Sequence, residues 1–222
     1  MKTGPVTTCV DLWAPFALRV RCGPLELRAI TDDDIPVIVD LVRASLHEPG
    51  QMPFAQPWTE APAHQLPRTT AAYYWSTRAS FSPSNWTLDL VVRFNGEIVG
   101  VQGFHAQDYL VVRTGETGSW LGLAHQGRGI GTLMRQAICV LLFDHLDAVE
   151  ITSAAFLDNP ASLAVSRKVG YVDNGTFREQ RRPGELARSR KLLLKPDRFV
   201  RPEHPVRVDG AAPLRAAVGL DK

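Results

Sequence analysis

Three glycines at alternate positions, Gly127, Gly129 and Gly131, separate a strand-like run from an apolar helix-like one. Glycine takes turn conformations closed to other residues and lets a ligand come close to the main chain. A helix opening there offers its first N–H groups unpaired, at the positive end of its dipole. Strand, glycine turn and helix start together make a place to hold a phosphate, and Arg128 adds a cation within the turn. Two familiar phosphate loops are excluded by spacing. No Lys follows the glycines as G-x-x-x-x-G-K-[ST] requires. Counting G-x-G-x-x-G/A from Gly127 puts Thr132 where a small residue is needed. The frame that fits is Q/R-x-x-G-x-G/A, read as Gln126, Gly129 and Gly131.

A second constellation lies downstream. Asn159 follows a β-like run from Val149 to Ala155 and precedes a helix-like segment ending at Gly170-Tyr171, with Ser166 seven positions beyond Asn159. The glycine frame, then Asn159, Ser166 and Gly170-Tyr171, in this order and with helix and strand between them, resembles the GNAT superfamily of N-acetyltransferases. The resemblance implies an α/β (α+β) fold: a mixed, mostly antiparallel sheet flanked by helices and splayed between its fourth and fifth strands. It also implies an acyl-CoA cosubstrate. Gln126, Gly127, Arg128, Gly129, Gly131 and Thr132 would then hold the pyrophosphate. Main-chain groups of Leu121 and Leu123 would pair with the pantetheine arm like an added strand. Asn159 would bond the pantetheine or cap the following helix, and Arg167 and Lys168 would lie near the 3′-phosphate.

Acyl transfer to an amine needs a deprotonated nucleophile and a proton for the leaving thiolate. Period-two alternation places Glu116, Gly118, Trp120 and Gly122 on one strand face. The run Glu116-Thr117-Gly118-Ser119-Trp120-Leu121 is similar to one in the ribosomal-protein N-terminal acetyltransferase branch, where the glutamate is the base; His105 is the reserve candidate. Ser166 stands where many members carry a tyrosine acid, a departure shared with that branch. It would donate a hydrogen bond to the forming thiolate. The acceptor sets the demand on the base. Neutralising a lysine at pH 7 costs about 4.6 kcal/mol, whereas an α-amine costs about 1 kcal/mol.

The elements that must position these residues are legible in outline. Leu25 to Arg28 alternates as a first strand. Thr31 and the acids after it start a helix with Ile35, Ile38, Val39, Val42 and Leu46 on one face. Prolines crowd 47–69, which reads as a loop lid whose Phe54 and Trp58 pin it to the core or wall an acceptor pocket. A helix is expected over Thr69–Ser80 with Tyr73, Tyr74 and Trp75 as its bulky face. Strands at Leu88–Phe94 and Ile98–Phe104 flank an Asn95-Gly96 hairpin turn. Closing strands are expected over Tyr171–Arg181 and Glu185–Lys195. The division is an irregular arm at 1–24, an acyltransferase domain at 25–195 and a tail at 196–222 of unread role.

Composition bounds the rest. The chain has 222 residues, 45% hydrophobic and 22% charged, as a globular protein does. A net charge of +2 gives no argument for nucleic acid, and no apolar run is long enough to span a membrane. Cys9, Cys22 and Cys139 are odd in number and lack metal-ligand spacing, so no metal is expected and a reduced cytoplasm fits. The expected activity is transfer of an acetyl group from acetyl-CoA to a primary amine on a protein or small molecule. Succinyl-CoA is the alternative donor, a non-catalytic CoA-binding module the alternative of another class, and a homodimer is left open.

Overall fold

Short runs of alternating apolar residues, separated by turn residues, assemble into one sheet of nine strands among the described residues. The computed structural model describes residues 7–221. In chain order the elements are α1 (Cys9–Leu12), β1 (Arg19–Cys22), β2 (Leu25–Ala29), α2 (Ile35–Ala44), α3 (Leu66–Ala79), β3 (Asn85–Phe94), β4 (Glu97–Gln107), α4 (Tyr109–Val112), β5 (Glu116–Leu121), α5 (Ile130–Val140), β6 (Ile151–Phe156), α6 (Pro160–Val169), β7 (Val172–Arg182), β8 (Glu185–Leu194), β9 (Val206–Asp209) and α7 (Ala211–Ala217). The strand order is β7-β8-β6-β5-β4-β3-β2-β1-β9, and among the described residues only β5 and β6 pair in parallel.

Each face of the sheet carries its own core. Leu88, Leu90 and Val92 of β3 pack with Ile130, Met134, Ala137 and Ile138 of α5. Val91, one residue out of phase, packs on the other face with Ile35, Ile38 and Val39 of α2 and Tyr74 of α3. Helix α2 begins as expected. Thr31 and Asp34 form a reciprocal capping box, and Arg28 holds Asp34 with two 2.6 Å hydrogen bonds. Asn95 and Gly96 both take left-handed backbone angles and make the two-residue turn of the β3–β4 hairpin.

Four expectations are corrected. The irregular arm instead contains α1 and β1, and β1 pairs with β2 through a Gly23-Pro24 turn. Prolines within the arm sit where they are tolerated: Pro15 in the first turn of a 3-10 helix, Pro24 at the hairpin tip. Helix α3 starts at Leu66 rather than Thr69, with Pro67 in its first turn. Three consecutive residues span too wide an arc to share a helix face. Accordingly only Tyr74 of the expected Tyr73–Trp75 face is buried, and the other two are about half exposed at 51% and 53%. The tail is not separate either. Strand β9 pairs along β1 from Arg19↔Asp209 to Cys22↔Val206, and α7 buries Leu214 in the main core.

The join between tail and sheet rests on Gly210, at φ +76° with the carbonyl oxygen of Ala17 2.2 Å from where a Cβ would sit. Gly210→Ala is expected to destabilise the protein by about 2–4 kcal/mol. Urea unfolding should show a lowered midpoint with one cooperative transition; an unchanged midpoint would mean the tail docks independently of this turn.

Candidate active site

The glycine turn leads from β5 into α5. Gly127 and Gly129 take φ +71° and +80°, and nothing lies within 4 Å of where their Cβ atoms would be. Their requirement is therefore conformational, and the space above them is open. Among the described residues, none of the N–H groups of 127–131 donates to a protein acceptor. Gly131 differs: its φ is not positive, and a Cβ there would make ordinary contact, 3.4 Å from Val165 of α6. The Gln126 side chain donates to the carbonyls of Leu121 and Leu46, at 3.0 and 2.8 Å, and ties the turn to the end of β5. Arg128 is exposed beside the turn, Thr132 half-buried in the first turn of α5, and Arg167 exposed on α6.

Strands β5 and β6 meet at one register pair, Glu116↔Thr152. Beyond it they part, and the seam opens toward the glycine turn. This is the splay between the fourth and fifth strands counted from Leu25. Alternation turns the main-chain groups of Thr117, Ser119 and Leu121 toward the seam. Leu123 has left the strand; its N–H donates to Ser45 and its carbonyl accepts from Gln126.

Buried Arg135 of α5 bridges the parted strands, donating to the hydroxyls of Ser119 at 2.9 Å and Ser153 at 3.2 Å. Its guanidinium lies 5.9 Å from the Tyr171 ring centroid. Ser166 is buried on α6, and its hydroxyl has no hydrogen-bond partner. Asn159 caps α6, accepting from the N–H of Ser162 at 3.1 Å.

On the α2–α3 side, a cleft of about 450 Å³ runs across β3, β4 and β5. Glu116 lies along it, directly opposite His105 of β4. Glu116 is exposed to the cleft, and desolvation by its surroundings still pushes its carboxyl above the ordinary pKa; His105 and Arg135 oppose that push and Glu179 adds to it. His105 is itself engaged with the Thr87 hydroxyl at 3.1 Å.

The proline-rich loop covers one end. Trp58 packs on Phe54 and Trp120, with ring centroids 5.2 and 6.1 Å apart, and lines the cleft; Phe54 packs beneath the loop instead. Glu60 of the loop meets Arg182 of β7 at 2.7 Å.

Two residues escaped the sequence reading. Arg135 lies within the helix stripe assigned to core, and its charge among apolar neighbours was the signal. Asp89 interrupts the apolar run Leu88-Asp89-Leu90 of β3 and points to the cleft face. Its Oδ2 is buried with no hydrogen-bond partner. Desolvation pushes its carboxyl up to about 6, with the nearby hydroxyls of Thr77 and Tyr73 offsetting part of the effect.

Because the folded pKa exceeds the unfolded value near 3.9, the folded state holds its proton more tightly. Ionisation therefore erodes stability as pH rises from about 4 to 6, and the loss is complete above that range. Asp89→Asn is expected to be more stable than wild type by about 3 kcal/mol at pH 8, the difference vanishing below pH 4. Thermal unfolding across this pH range reads the effect; equal stability at every pH would show that Asp89 is not desolvated.

Residues 24–172, more than half of the chain, match the family described as "Acetyltransferase (GNAT) domain". Among solved structures, the chain is similar to Mycobacterium smegmatis RimJ in complex with CoA-disulfide, with a TM-score of 0.70 and 20% identity over 92% of this chain and 95% of that one. It is also similar to RimL, the ribosomal L7/L12 alpha-N-protein acetyltransferase in complex with coenzyme A, with a TM-score of 0.64 and 20% identity over 78% and 94%. In sequence it is 27% identical over 86 residues to the "Putative ribosomal N-acetyltransferase YdaF" of Bacillus subtilis, which covers 39% of this chain and 46% of that protein's length. The chain spans less than half of that relative. The match over residues 24–172, on a sheet that parts between Glu116 and the glycine turn, places the chain in the GNAT acetyltransferase family.

Proposed function

We propose that the protein moves an acetyl group from acetyl-CoA to a primary amine by direct attack. The observation that carries this reading is the row of unengaged N–H groups at 127–131, standing at the open end of the β5–β6 seam. Such a row is a fixed concentration of positive dipole ends suited to a pyrophosphate, and Arg128 stands beside it. The buried, unpartnered Ser166 hydroxyl fits the same ligand, since burying a donor without an acceptor costs about 1–3 kcal/mol.

Within that frame Leu121 and Ser119 offer main-chain groups to an extended thiol arm along the seam. Glu116 accepts the proton of the attacking amine as the N–C bond forms and the C–S bond breaks. The Ser166 hydroxyl donates to the departing sulfur. Leu123, with both main-chain groups engaged, is a weaker candidate than Leu121.

The cleft lining favours acetyl over succinyl as the transferred group. Among the described residues it includes Asp89 and Glu116, with His105 and no Lys or Arg, so two carboxylates would stand against a succinyl carboxylate with no permanent cation to balance it. The protein α-amine is the acceptor that asks least of a base. RimL is described as acting on such an amine.

Two experiments test this reading. Gly129→Asp puts a Cβ and a negative charge where φ is +80° and the amides face outward. Calorimetry should find acetyl-CoA binding lost in the folded variant; micromolar binding retained there would remove the cofactor assignment. Glu116→Gln keeps shape and removes the base. In wild type, kcat/KM should rise with pH through a limb above the ordinary carboxylate range, because desolvation by the surrounding protein raises this carboxyl although Glu116 is open to the cleft. The variant should lose that limb and fall most at low pH. An unchanged profile would move the base to another group, His105 first.

A further inference from the structure

We infer that Asp89 is the recognition end of the acceptor cleft and holds a second protonated amine of the acceptor while the reacting amine lies at Glu116. This inference rests on the amine-acceptor reading above and adds the chemistry of the acceptor to it.

The geometry begins with strand register. Asp89 stands opposite Gly103, and Gly103 opposite Gly118, forming one row across β3, β4 and β5. The next row on the same face is Thr87, His105 and Glu116. Asp89 and Glu116 are thus two strands and two residues apart, about 12 Å between Cα atoms.

Between them the floor is bare. A Cβ on Gly118 would meet nothing within 4 Å, and one on Gly103 would stand 3.1 Å from Asp89 Oδ1. A longer residue at either place would fill the path from one carboxylate to the other.

Asp89 has the hydroxyls of Thr77 and Tyr73 as neighbours but no cation. It caps no helix, and no Lys, Arg or His lies within 4 Å of it among the described residues, although thirteen carboxylates elsewhere in the fold are so paired or bridged. A deeply enclosed carboxylate with an unpartnered oxygen is destabilising unless something else supplies the charge. The walls suit a cation: Tyr73 and Tyr74 from α3, with Trp58 and Trp120 at the other side, present aromatic rings to the same space. With both carboxylate side chains reaching inward, the two nitrogens fit on a chain of about four to six methylene groups. That spacing occurs in a small aliphatic diamine. It also occurs in a peptide whose α-amine is followed closely by a lysine.

The test measures thiol release from acetyl-CoA with matched acceptors. 1,5-Diaminopentane is compared with n-pentylamine, and the peptide amide Ser-Lys with Ser-norleucine. Wild type is expected to prefer the dication by at least tenfold in kcat/KM, and Asp89→Asn to bring the ratio near one. The arm that carries the preference identifies the source, small diamine or protein N-terminus. Gly118→Val, which fills the floor without touching Asp89, should also abolish the preference and serves if Asp89→Asn does not fold. A wild-type ratio near one, or a preference that survives both substitutions, overturns the inference while leaving amine acetylation standing. Calorimetry with 1,5-diaminopentane separates the remaining case. Binding that depends on Asp89 without thiol release from any amine would support the site and overturn the transferase reading; no binding and no release would overturn both.

Discussion

One rung, Glu116 opposite Thr152, joins the two halves of the sheet. A parallel ladder that continued from there would have closed the seam and left no edge for a ligand to pair with. Its interruption exposes main-chain groups that must find partners or water, and the fold satisfies several of them with side chains. Ser153 donates to the carbonyl of Thr117, Gln126 to that of Leu121, and Arg135 spans the gap through Ser119 and Ser153. The opening is therefore a built feature, held apart at its base by a buried cation.

That cation has consequences for the groups around it. Arg135 has hydroxyl partners and an aromatic face but no carboxylate among the described residues. It lowers the pKa of Glu116 while desolvation raises it, so the carboxyl at the head of the seam is set by opposing influences. His105, one strand away, adds to the lowering.

Legibility followed the physics of each signal. The hairpin at Asn95-Gly96, the capped start of α2 and the stripe of α5 are local, and local pattern revealed them. The glycine turn was readable because backbone conformation constrains it directly, whereas Asn159 and Ser166 were singled out by the resemblance to the GNAT superfamily. Arg135 and Asp89 were not, since each looks like a flaw in an apolar run until the sheet is assembled around it. Strand β1, and β9 beyond the alternation of Val206-Arg207-Val208, were hidden for a related reason. Each is four residues long, and each gains its meaning only from a partner far away in sequence. Prolines misled at Pro24 and Pro67 because they sit at the boundaries of elements rather than outside them.

The pairing of β1 with β9 bears on how the chain acquires its structure during synthesis. Arg21 of β1 meets Asp209 of β9 across 188 residues. Every strand between them can emerge and find its neighbour while β1 still presents an open edge, a template for another chain. Long-range pairings of this kind close late, and exposed edges before closure favour association between nascent chains. A nascent chain halted before Val206–Asp209 carries eight of the nine described strands, with β1 standing as an edge strand where β9 would otherwise cover it and β7 at the opposite edge.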